Sequence, residues 1–87
     1  MRDLKYFIRK AEVDDVDSIY GMIQELAEYE KLLDQFHGSK EQLTVHLFRQ
    51  PAYIHSLVAE YEEQVVGYAI YFYNYSTFLT NPGIYLE

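Results

Sequence analysis

The chain has 87 residues, seven Lys and Arg against fourteen Asp and Glu for a formal charge of −7, and no cysteine. This balance excludes a disulfide scaffold and thiolate chemistry, and it argues against nucleic-acid backbones and anionic membranes, which need clustered basic side chains. No run approaches the ~20 apolar residues of a membrane span and the charged start MRDLKYFIRK is no signal peptide, so the expectation is one soluble, cytoplasmic domain over 1–87.

Residues 5–11, KYFIRKA, alternate as a first strand with Tyr6 and Ile8 on one face. Val16, Ile19, Ile23, Leu26 and Leu33 then recur at helical steps, predicting a helix over about 13–33 with Asp14, Asp15 and Asp17 at its positive end. His37-Gly38 interrupts, and Ser39 stands as an N-cap candidate for a short second helix whose apolar side is Leu43, Leu47 and Phe48. Gln50-Pro51 ends that helix. YIHSLVAE, 53–60, reads as a strand; Glu62-Glu63-Gln64 is a polar turn; VVGYAIYFYNY, 65–75, is a strand that is apolar on both faces. Residues 76–83 form a loop in which Asn81, Pro82 and Gly83 make a turn, and Ile84 opens a last strand that ends at Glu87.

The expected class is therefore α+β, in the order strand, helix, helix, strand, strand, strand, with the strands over 53–60 and 65–75 paired antiparallel. If both helices lie on one side, the second face of 65–75 has no partner in the chain.

No self-contained catalytic motif is present. The four glycines form no phosphate-cradling loop, and His37, His46 and His55 share no metal-ligand spacing, which makes them surface or packing residues. Ser18, Ser39, Ser56 and Ser76 lack the context of an activated nucleophile. The acidic stretch ELAEYE (Glu25, Glu28, Glu30) is either a solvated helix face or a rim that attracts an amine, and YFYNY is either core or a lining where rings meet a cation.

Taken in order, FIRKAEVDDVDSIYGMIQELAEYEK, YIHSLVAE, VVGYAIYFYNYSTFL and GIYLE resemble the N-terminal half of a GNAT-superfamily N-acetyltransferase, closest to the diamine (spermidine/spermine) and thialysine acetyltransferase group. The resemblance implies a truncated GNAT fold over 1–87, lacking the acetyl-coenzyme A-binding loop and the C-terminal strands. It implies acetyl-coenzyme A as co-substrate of the parent enzyme, no tight binding of it by this chain alone, and a small-molecule amine as acceptor. It implies Glu87 as general base and Glu30, with Tyr29, as the substrate-side rim. Ser76, Thr77 and Phe78 stand where the diamine enzymes carry aspartate and tryptophan, which makes the chain look nearer the thialysine type. Two other readings stay open: a non-catalytic half-domain that self-associates or docks through an uncovered sheet face or edge, and an intact small regulatory domain.

Overall fold

The computed structural model describes residues 6–87, so Lys5 of the expected first strand lies outside the described residues. The elements are β1 (Tyr6–Lys10), α1 (Val16–Tyr29), α2 (Lys40–Phe48), β2 (His55–Tyr61), β3 (Gln64–Ser76) and β4 (Asn81–Leu86), with short 3-10 turns at Val13–Asp15 and Leu33–Gln35. The four strands form one sheet in the order β1-β2-β3-β4, every neighbouring pair antiparallel. The α+β class, the order of elements and the pairing of the two central strands are those expected from the sequence.

The sheet is staggered. β2 pairs with β3 from Tyr61↔Gln64 to His55↔Tyr71, and β4 pairs with the rest, from Tyr71↔Leu86 to Ser76↔Asn81. The two halves of β3 thus use opposite edges and overlap only near Ile70 and Tyr71. Across that junction one row runs from Ala11, whose N–H donates to the Ser56 carbonyl, through Ser56↔Ile70 to Glu87, whose N–H donates to the Ile70 carbonyl at 2.9 Å. A register shift between Ala59 and Glu60 leaves Val66 unpaired in β3, a bulge that sharpens local twist.

The core is small and one-sided. Among the described residues, Val16 and Ile19 of α1, Leu47 of α2 and Val58 of β2 are the buried apolar side chains, Ile19 completely so. The apolar stripe of α1 is continuous in sequence, yet burial fades along it: Ile23 is half-buried and Leu26 is 50% exposed. Only the first half of the helix is covered. On β2, Ser56 and Val58 are buried, whereas Leu57 and Ala59 line an open depression with Ile8, Gly67 and Ala69 that no helix residue enters. Among the described residues nothing covers the second face of the sheet, as expected with both helices on one side, and Tyr73, Ile84 and Leu86 are exposed.

Arg9 joins three segments on the covered side. Its guanidinium holds both Asp15 carboxylate oxygens, at 2.8 and 3.0 Å, and donates through Nε to Glu60 at 2.9 Å. Asp15 also accepts from the Glu12 N–H at 2.7 Å. Hydrogen bonds from Arg9 hold the Asp15 carboxyl below the usual carboxylate range although burial opposes this. The aspartates before α1 therefore do more than complement a helix dipole: one of them locks β1 and β2 to the start of the helix.

The first helix begins at Val16 after a 3-10 turn instead of at 13, Gln64 belongs to β3 and not to the turn, and three larger differences have clear causes. The first helix stops at Tyr29 instead of reaching 33, because Lys31 turns left-handed at φ 60 while its N–H bonds the Glu28 carbonyl and the Leu32 N–H bonds the Ala27 carbonyl. This is a Schellman ending with lysine where glycine is usual. β2 starts at His55, not 53, since the N–H groups of Tyr53 and Ile54 are both taken by the His46 carbonyl at the end of α2. Asn81, Pro82 and Gly83 are not a turn but the first residues of β4. An edge strand tolerates a proline, and Gly83 leaves room for the Asn74 side chain opposite, whose Oδ1 would lie 2.8 Å from an added Cβ. The reversal falls instead on Thr77–Thr80, with the Leu79 N–H on Ser76 Oγ and Thr80 at φ 51.

The other connections follow their expected chemistry. Ser39 Oγ accepts from the Gln42 N–H and starts α2, as its position predicted. Glu62 and Glu63 make the two-residue loop between β2 and β3, both with positive φ, as the right-handed twist of a tight hairpin demands.

Candidate functional site

Glu87 stands at the junction row, one position beyond β4, in a recess of about 250 Å³ lined by Tyr68, Ala69, Ile70, Leu86 and Glu87. Register places it there. Ser56, Ile70 and Glu87 share one row, and Val58↔Tyr68 is the next pair along the same face of β2 and β3. Tyr68 is the neighbour that the sequence reading missed. Burial pushes its phenol up, and the Glu87 carboxylate pushes it further, both favouring the protonated hydroxyl. Period-two alternation along β3 was the available signal: Tyr68, Ile70 and Phe72 share a face.

The aromatic run 71–75 divides between the two faces. Phe72 packs against Tyr85 on the side of Glu87, ring centroids 5.0 Å apart. Tyr71 and Tyr73 cluster with His55 on the bare side, each centroid 5.3 Å from the imidazole.

Glu30 and Tyr29 lie elsewhere. Glu30 caps α1 and borders a shallow groove of about 260 Å³ formed with Ile23, Leu26, Ala27, Leu32, Gln35 and Phe36. Tyr29 is 84% exposed. This groove is apolar apart from Glu30 and Gln35, a lining suited to the carbon chain of an amine with its charge at one end. It shares no lining residue with the recess of Glu87.

A third cavity, of about 420 Å³, opens where the end of α2 meets the start of β2. Among the described residues no three His, Cys, Asp or Glu side chains group as metal ligands, and no helix is long and apolar enough to cross a membrane.

No protein-family model matches the chain. It is 46% identical to a thialysine N-epsilon-acetyltransferase of Sus scrofa, over 92% of the chain and 51% of that relative. The proteins of the same name from Bos taurus and Mus musculus are 44% and 43% identical over the same shares. The chain spans about half the length of the curated relatives it matches.

Proposed function

We propose that this homologue of the thialysine N-epsilon-acetyltransferases forms the amine side of an N-acetyltransferase, with acetyl transfer from acetyl-coenzyme A to a primary amine of a small cationic metabolite as the parent reaction. The similarity over 92% of the chain to enzymes so named carries the reading. An amine resembling thialysine or lysine is placed ahead of long polyamines. A protonated amine has no lone pair, so a base must act first. Glu87 takes that proton, directly or through one water. The freed nitrogen forms a bond to the thioester carbonyl carbon, the carbon–sulfur bond breaks, and as the amide forms the nitrogen gives up a second proton, which balances the one that the leaving thiolate takes up. Acetyl-coenzyme A supplies the acetyl group in activated form. Glu30, with Tyr29 beside it, draws the cationic end of the substrate to the groove at the end of α1.

The 87 residues by themselves are proposed to be inactive. The purified chain, given acetyl-coenzyme A with thialysine, lysine or spermidine, is expected to release no coenzyme A above background. Co-expressed with the part of the pig relative that it does not match, it is expected to turn over thialysine. Turnover by the chain alone would refute its inactivity, and a well-formed complex that acetylates no amine would refute the assignment.

The bare sheet face favours a second, non-catalytic reading, in which two copies pair through it. Exposed apolar surface of this extent is an interaction surface by default. Sedimentation should then show a dimer that Tyr73→Lys with Ile84→Lys converts to monomer. A parent chain that stays monomeric as its concentration rises removes this reading.

A further inference from the structure

We propose that Tyr68 is a positioning residue for Glu87: its hydroxyl donates to the carboxylate and holds it turned into the recess where an amine loses its proton. This rests on the reading of Glu87 as the base. A general base needs a fixed carboxylate, and what is fixed at Glu87 is the main chain, through its N–H on the Ile70 carbonyl. The ion pairs among the described residues engage Arg9 with Asp15 and Glu60, and Lys40 with Asp17, and none of them holds the Glu87 side chain. The tyrosine hydroxyl that is hydrogen-bonded among these residues is that of Tyr20, which donates to the Gly38 carbonyl at 3.0 Å. The Tyr68 hydroxyl and the Glu87 carboxylate are thus both unengaged.

Register brings the two groups within reach of each other. Glu87 lies opposite Ile70, and Tyr68 and Phe72 stand two residues to either side of Ile70, so all four share one face of the sheet. Diagonal neighbours of this kind are ~7–8 Å apart, a span that an aromatic and a long side chain bridge together. Of the two diagonals, Phe72 is apolar and occupied, its ring centroid 5.0 Å from that of Tyr85. Tyr68 is the polar one. Opposite it on β2 is the buried Val58, while on its other edge the pairing of β4 has already ended, and there Tyr68 and Glu87 border the same recess. The phenol also feels the carboxylate: burial raises it first, Glu87 raises it further, and both favour the protonated form that can donate.

The contact is tested in the full chain by NMR titration of the Tyr68 phenol in isotope-labelled protein. Glu87→Gln removes the charge and should bring the phenol down toward the ordinary tyrosine range. A Tyr68 that titrates as in the parent overturns the contact. The role is tested in the protein completed by the remaining part of its relative. Tyr68→Phe should lower kcat on the order of tenfold and keep KM within about twofold, and it should add no loss to Glu87→Gln, where no carboxylate is left to orient. Tyr73→Phe, on the same strand and the opposite face, should keep full activity. Circular dichroism confirms that each variant is folded. Full activity of Tyr68→Phe, a change in KM alone, or the same fractional loss with and without Glu87 overturns the positioning role and leaves Glu87 as base. Glu87→Gln as active as the parent overturns the base reading instead, and the phenol titration then still decides the contact.

Discussion

Glu87→Gln is expected to lower amine acetylation by roughly 10²- to 10⁴-fold, the usual worth of a positioned general base, in the protein completed by the remaining part of its relative. The substitution is nearly isosteric, and the backbone contact that anchors the residue, Glu87 N–H to the Ile70 carbonyl, is untouched. Lost pairing of the strand therefore cannot account for the deficit. What goes is the one carboxylate side chain among the described residues that line the recess. The deficit should shrink as pH rises toward the pKa of the amine itself, near 10 for a lysine-like side chain, because solvent then removes the proton. A pH-rate profile of thialysine acetylation measures both effects. A glutamine variant as active as the parent at neutral pH would end the assignment of Glu87 as base.

Ile19→Ala is expected to destabilise the domain by about 3 kcal/mol, within the range for emptying a fully buried isoleucine site. Ile19 is 0% exposed and shares a core with only Val16, Leu47 and Val58 as buried apolar companions among the described residues. With so few large side chains around it, the vacated volume has little to collapse into it. A domain of this size holds only about 5–15 kcal/mol in total, so the loss should lower the melting temperature by roughly 12–24 °C. Leu26→Ala on the same helix stripe, at a site 50% exposed, should cost less than about 1 kcal/mol. Thermal and urea melts followed by circular dichroism make the comparison, and equal losses at the two positions would show that the core extends along the whole helix.

Much of the fold was legible because local and global preferences agree. The helical spacing of Val16, Ile19 and Ile23, the serine cap at Ser39 and the Glu62-Glu63 hairpin each specify their element through short-range chemistry. The failures share a different cause: residues in places where tertiary context overrides their habits. Lys31 occupies a left-handed position that glycine usually marks, so the helix end carried no sign. Pro82 and Gly83 read as a turn and lie in an edge strand, where a missing N–H and a missing side chain do no harm. At the candidate site, Glu87 was nameable from the YLE stretch and the resemblance alone. Tyr68 was hidden inside a strand apolar on both faces, where face assignment awaits the register.

The stagger of the sheet has a mechanical consequence. Beyond Tyr71, β3 and β4 form an arm that projects past the end of β2 and carries Phe78, 97% exposed, at its tip. Such an arm bends as a lever about its root, with displacement greatest at the tip and least at the pivot. Glu87 lies at the pivot, in the row tied through Ile70 and Ser56 to β1. The backbone of Glu87 is thereby tied to the part of the sheet where β2 still flanks β3, whereas Phe78 stands on the part where β3 pairs with β4 alone.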